Sequence, residues 1–308
     1  MMIEQIPNPE AAESFPEHQA GGRWTRHRIP WDGGRAILYF ILSGMMSILF
    51  GVILFVPLGF NGSVIVTEVI VFGAMPLLLS AVFATGLRQW FTWPKIRGGF
   101  WVSSVVAVTA FVVTQSNLLV FLDRVYPIPS TQLEFFRRYL MAESPLGLIG
   151  MISVAAVVPA LFEEFAFRGL IQSGLRASYG AKNAILWTGL LFAVLHMNPW
   201  NFIGLWSLGC MLGYLTERTG SILPAMFLHL VNNVLALVLL YAQGAEQWEK
   251  RPEFIPWYWT VLAGLVLITA IRRLHILTER PASPGPLCAG SEGSGHEDVP
   301  SSTPTLPL

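Results

Sequence analysis

The stretch VVPALFEEFAFRGLIQ, residues 157–172, sets Glu163, Glu164 and Arg168 among residues that are otherwise almost all apolar. A charge near the centre of a bilayer costs at least about 2.5–3.5 kcal/mol, so ionisable groups inside an apolar run mark a functional site by default. Two more apolar runs carry polar groups: His196 in LFAVLHMNPW, and His229 and Asn233 in FLHLVNNVLAL, with Asn232 beside them. Spacing assigns them roles. Glu164 and Arg168 are four apart with the glutamate first, the favourable order for an ion pair on a helix. Glu163 projects roughly 100° away from Glu164, so Arg168 can neutralise Glu164 and leave Glu163 free to face a cavity. A shielded carboxylate suits general-base work near neutral pH. Glu163 fits that role, with His196 as the second group polarising a water. His229 and Asn233 share one helix face and together offer a side-chain oxyanion hole, in which one donor is worth roughly 2.7–4 kcal/mol. Taken singly, an intramembrane histidine or asparagine usually serves as a hydrogen bond between helices. Five such groups on three runs outweigh that reading, while Arg168 is structural.

A metal offers a second chemistry. Glu163, His196 and His229 could form a three-ligand catalytic zinc site, which would require a different base. HExxH is absent, and the ligands would come from three separate runs. A metal-independent, glutamate-based mechanism is therefore the favoured expectation, with Zn2+ left open.

These groups need elements to hold them, and composition says what kind. Of 308 residues, 53% are hydrophobic and 12% charged, about half the charged share of a soluble domain. Mean hydropathy is +0.55. The chain reads as a membrane protein. Net charge is zero, so no global field recruits nucleic acid. Cys210 sits in an apolar run and Cys288 in a polar tail, which argues against a disulfide framework or a thiolate metal site. The first 30 residues contain no apolar core of the signal-peptide type.

Apolar runs at about 36–60, 64–86, 101–122, 146–175, 183–199, 202–217, 221–242 and 256–272 are near the roughly 20 residues that cross a bilayer. The expectation is an all-α polytopic membrane protein of about eight transmembrane helices, with the active site inside the bundle. Residues 1–35 form a polar N-terminal segment, 36–275 the helical domain and 276–308 a disordered Pro/Ser/Gly-rich tail. Eight crossings put thirteen of the 19 Lys and Arg residues on one side and five on the other. The positive-inside rule then makes both termini cytoplasmic. Trp90, Trp93, Trp101, Trp200, Trp257, Tyr258 and Trp259 lie at run ends, as interfacial anchors do. GCMLG at 209–213 is a small-xxx-small pattern that permits close helix approach. No internal repeat of the transporter kind is visible.

In combination the motifs are specific. Residues 146–240 resemble the CPBP family, which groups type II CAAX prenyl proteases with bacteriocin-processing and self-immunity membrane proteins. Glu163, Glu164 and Arg168 match its EExxxR, Phe192 and His196 its FxxxH, and His229 and Asn233 its HxxxN/D. TGSILPAMFLH at 219–229 also resembles the approach to the family's last histidine. The resemblance implies an intramembrane endopeptidase that hydrolyses a peptide bond in membrane-anchored or prenylated proteins or propeptides. The roles it implies for Glu163, His196, His229 and Asn233 are those given above. Its expected partners are the bilayer and a membrane-anchored peptide, not nucleic acid. Without recognisable eukaryotic targeting, the expected location is a bacterial cell membrane. Two other classes stand beside this one. A non-catalytic scaffold or self-immunity protein of the same fold is opposed by the intact motif set, and a proton-coupled transporter by the lack of repeats.

Overall fold

The computed structural model describes residues 31–83, 90–94, 96–243 and 253–278. Among them there is helix and no strand, as hydrocarbon requires of any open segment, because only a helix satisfies its own backbone there. The proposed segments 1–35 and 276–308 lie almost wholly outside these residues, as do Arg23, Arg26, Arg28, Arg88, Lys95, Lys250, Arg251 and Arg280, so the charge bias has no counterpart here.

We label the α-helices α1 (Gly33–Thr67), α2 (Met75–Phe83), α3 (Phe100–Val125), α4 (Ser130–Leu140), α5 (Pro145–Ile152), α6 (Val158–Glu164), α7 (Gln172–Leu195), α8 (Phe202–Thr219), α9 (Leu223–Gln243) and α10 (Trp257–Leu277). Three wider π-type stretches, π1 (Glu68–Ala74), π2 (Ser153–Val157) and π3 (Phe165–Ile171), join neighbours without a break in the helix. Such bulges are rare and often sit at functional sites. Here two of the three flank or hold the ionisable groups.

Five stretches are long and apolar enough to cross a membrane, and two of them, Gly33–Phe83 and Pro145–Leu195, run to 51 residues. Either would extend about 77 Å if straight, far beyond a roughly 30 Å hydrocarbon core. Each instead folds back at a glycine of positive φ: Gly59 (φ 68°) and Gly180 (φ 77°), a backbone region that a Cβ disfavours. The reversal shows in the contacts. Tyr39 donates its hydroxyl to Val71 O at 2.9 Å, although 32 residues of straight helix would separate them by about 48 Å. Phe167 meets Phe192 with ring centroids 5.2 Å apart across the second turn. The eight apolar runs thus correspond to helical segments, whereas only five continuous stretches satisfy length and hydropathy together. The difference comes from these two hairpins and from α8, whose end carries Glu217 and Arg218.

Three expectations need correction. The run 183–199 is helical only to Leu195; His196 caps it, and Met197 adopts a φ of 46°. Trp90 and Trp200 are buried rather than interfacial. The Trp90 carbonyl accepts from Ile222 N at 3.1 Å, and the Trp200 indole donates to Tyr126 O at 2.6 Å. Between the expected runs 101–122 and 146–175, where no helix was expected, lies α4. This helix is amphipathic, has no buried residue, and packs Tyr139 on Phe55 and Phe135 on Phe60. Trp93, Trp257, Tyr258 and Trp259 are exposed, consistent with anchors.

The core lies on π3 and its neighbours. Phe167, Leu170, Ile171 and Leu175 meet Phe192, Leu212, Leu215 and Leu228, all essentially without exposure. Val52, Val56, Leu78, Leu146 and Leu265 stand outward and exposed, as a lipid-facing surface does. α3 and α10 are tied together by Asn117, which donates to Ile255 O and Thr260 Oγ1 at 2.9 and 2.8 Å and accepts from Ile255 N at 2.8 Å.

Candidate active site

α6 ends at Glu164, and the wider Phe165–Ile171 turn follows at once. That junction points two adjacent carboxylates in different directions. Glu164 has no exposure and faces the protein: Arg168 Nε lies 3.1 Å from its Oε2 with both side chains fully enclosed. The approach is off-line, since neither atom completes a well-directed hydrogen bond; the contact is chiefly charge on charge. Arg168 is oriented instead by its Nη2, which donates to Gly209 O at 3.0 Å, and by the faces of Phe167 and Phe192, 5.8 and 5.2 Å from the guanidinium. Gly209 belongs to the GCMLG pattern, and the expected close approach is present: a Cβ there would lie 2.7 Å from Gly189 Cα.

His229 connects the two glutamates. Its Nδ1 lies 2.9 Å from Glu164 Oε1, and a carboxylate opposite fixes Nδ1 as the donor. Its Nε2 is thereby turned toward Glu163 Oε2, 3.9 Å away. When His229 is an imidazolium, Nε2–H is a second donor aimed at the carboxylate or at whatever lies beside it. The ring is 2% exposed and packs edge-on against Phe192.

Glu163 takes the other direction. Its Oε2 has no hydrogen-bond partner despite burial, and its side chain lines a cavity of about 560 Å³. His196 lines the same cavity. Its Nδ1 contacts Phe192 O at 2.8 Å; a carbonyl can only accept, so Nδ1 carries the hydrogen and Nε2 keeps a lone pair. A base-competent imidazole and a carboxylate therefore open on one space. The walls are otherwise mostly apolar, from both halves of the first hairpin (Phe40, Phe55, Phe60), with Phe135 of α4 at the edge.

Residues 145–235 match the family model described as Type II CAAX prenyl endopeptidase Rce1-like. This part of the chain is similar to that family. At the family level the match supports an intramembrane endopeptidase. It spans under a third of the chain and excludes the first hairpin that walls the cavity. No curated protein and no solved structure gives a significant match to this chain.

Within the matched segment, Glu164 contacts both Arg168 and His229, His229 also approaches Glu163, and His196 joins Glu163 at the cavity. Asn233 is one turn beyond His229 but, among the described residues, its hydrogen bond is with its neighbour: Asn232 Nδ2 donates to Asn233 Oδ1 at 3.2 Å. That bond leaves the Asn233 amide NH2 as a donor. For zinc the fit is poor. Among the described residues no three His, Cys, Asp or Glu side chains converge to hold a metal ion, Glu163, His196 and His229 included. The Nδ1–H of His229 on Glu164 leaves Nε2 free, as it is in many metal sites, but His196 stands at a helix end and does not converge with the other two groups.

One residue at the cavity was not singled out in the sequence. Glu68, 8% exposed, begins the first π-type stretch and lines the cavity with Glu163. It sits in a long apolar run with no motif around it; the only available signal was that it is ionisable inside such a run.

Proposed function

We propose that the chain is an intramembrane endopeptidase in which Glu163 is the general base and no metal is required. Glu163 takes a proton from a water placed between it and His196 Nε2, and the resulting hydroxide attacks the scissile carbonyl. The imidazolium of His229, held by Glu164, donates Nε2–H to the developing oxyanion, and the Asn233 amide is a second donor. Arg168 and Glu164 act through His229 rather than on the substrate. The observation that carries this reading is the split of the glutamate pair, with one carboxylate ion-paired and the other unpartnered on an apolar cavity.

The substrate is a membrane-anchored peptide or propeptide that reaches the apolar cavity from the bilayer. The protein resides in a bacterial cell membrane, with both termini in the cytoplasm. The test uses the full-length chain in detergent with a library of membrane-anchored peptides, and mass spectrometry of new termini. New termini that disappear in Glu163→Gln support the proposal. Cleavage that survives Glu163→Gln, or that requires a chelatable metal, overturns it. A preparation that cleaves nothing favours the non-catalytic scaffold.

A further inference from the structure

Glu68 has no place in the chemistry so far, and its surroundings give it one. It enters the cavity from the first hairpin, outside the matched segment, yet faces the same space as Glu163 and His196. Its Oε2 is buried and lacks a hydrogen-bond partner, as does Oε2 of Glu163. Tyr39 is close by but has committed its hydroxyl hydrogen to Val71 O, so it can accept from Glu68 and cannot donate. Among the described residues no Lys or Arg lines the cavity. Of the three carboxyls in this region, Glu164 is matched by Arg168, and Glu163 has His229 at 3.9 Å. Glu68 has no counter-ion of its own. Two carboxyls that share an apolar space with a single counter-ion, the His229 ring beside Glu163, do not both ionise, so the pair carries one proton, and its place is on Glu68.

We propose that Glu68 is the general acid of the reaction, giving its proton to the leaving amine while Glu163 acts as base; this rests on the peptidase reading above. The step balances. A water O–H breaks and its proton goes to Glu163 as the C–O bond forms. The C–N bond then breaks as the Glu68 proton moves to nitrogen, and the oxyanion re-forms a carbonyl. The products are one carboxylic acid and one amine. The proton now on Glu163 returns to Glu68 across the cavity and restores the pair, with no other reactant. Two carboxyls with opposite duties in one site are a familiar solution when their environments differ. Here the difference is the proximity of His229 to one of them.

Two measurements on the full-length purified chain decide the matter. Glu68→Gln keeps shape and hydrogen bonding but cannot give up a proton. It should lower kcat on the cleaved peptide by roughly 10²–10⁴-fold with little change in KM, and Glu68→Asp should recover part of the loss. In the infrared spectrum at neutral pH, the wild-type protein should show a protonated-carboxyl band that is missing in Glu68→Gln. An active wild type whose kcat is unchanged by Glu68→Gln overturns the acid role alone. So does a band that is absent from wild type or that persists in Glu68→Gln. A wild type that cleaves no peptide overturns the proposed function and this role with it, and the infrared band still reports whether Glu68 holds the proton.

Discussion

On one side of the Glu163–Glu164 junction each carboxylate faces an arginine, and on the other side, among the described residues, none does. Toward the protein interior runs a ladder: Glu164 with Arg168, Arg168 on Gly209 O, Gln172 on Gly213 O and Glu217, and Glu217 on Arg176. After the first, each rung ties the Phe165–Ile171 stretch or α7 to α8. Toward the first hairpin lie Glu163 and Glu68, each with a bare oxygen, on apolar walls. Residue types barely differ between the two regions, so chemistry is not assigned by type. An ionised group with a full complement of partners is held in one geometry and has no capacity left for a substrate. A buried group left without partners carries an uncompensated desolvation penalty, and a fold retains that only where a ligand or a proton completes the site. The ladder builds the site, and the cavity uses it.

The largest test of the contrast is Glu163→Gln. If the unmatched side is where the reaction occurs, kcat should fall by roughly 10²–10⁴-fold, while the thermal unfolding midpoint should hold or rise because a bare buried carboxylate has been removed. A clear drop in that midpoint would place Glu163 in the ladder instead. Next in size is Arg168→Ala. Removing one member of a fully enclosed pair strands the other, at a cost of about 3–5 kcal/mol, so denaturant unfolding in mild detergent should shift strongly and activity should fall with it. Arg168→Lys should not restore the wild type, since a point charge cannot contact Glu164 and Gly209 O together in the guanidinium geometry. A stable, active Arg168→Ala would dissolve the contrast.

Asn233→Ala comes third and sharpens the cavity side. As an oxyanion donor its loss should reduce kcat by roughly 10²–10³-fold with KM nearly unchanged. Asn232→Ala, which removes only the bond that orients Asn233, should reduce it less. Equal losses in the two variants would mean that the amide pair is a helix-packing feature. Steady-state kinetics on any cleaved peptide distinguishes the outcomes.

How much of this was readable beforehand depends on distance along the chain. The ion pair was legible because Glu164 and Arg168 are four residues apart and a helix fixes what that means. The exposure of Glu163 to a cavity followed from the 100° step between neighbours. His229 was singled out, but its position between both glutamates was not foreseen, because it depends on how α9 packs on α6. Contacts between elements have no period in the sequence. Glu68 escaped for the same reason: its partner lies 95 residues on, and nothing in EVIVFGA points to it. His196 was expected well within a helix and instead terminates one: Pro199 holds Asn198 extended, a local stop that the apolar character of the run concealed. Trp90 shows the converse error. Aromatics at run ends are usually anchors, yet this ring meets Gly169 so closely that a Cβ there would lie 2.6 Å from it, a fit invisible to composition.

The smallest expected effect lies at the far end of the ladder, where the matched side meets solvent. Arg176 Nε is 2.8 Å from Glu217 Oε2, as short as any contact in the cluster, but the arginine side chain is 39% exposed. Short distance alone would rank this pair above Glu164–Arg168 at 3.1 Å. Burial reverses the ranking. Water screens the exposed pair, and exposed ion pairs contribute only about 0.2–1 kcal/mol. Glu217 would also keep Gln172 Nε2 at 3.2 Å after the arginine is lost, so no buried acceptor is stranded. Arg176→Ala should therefore shift denaturant unfolding by no more than about 1 kcal/mol and leave kcat within a few-fold of wild type. A cycle with Glu217→Gln should return a coupling of the same small size. If Arg176→Ala instead destabilised as much as Arg168→Ala, the ladder would be a single cooperative network from cavity to surface, and the contrast between its enclosed and open ends would have to be given up.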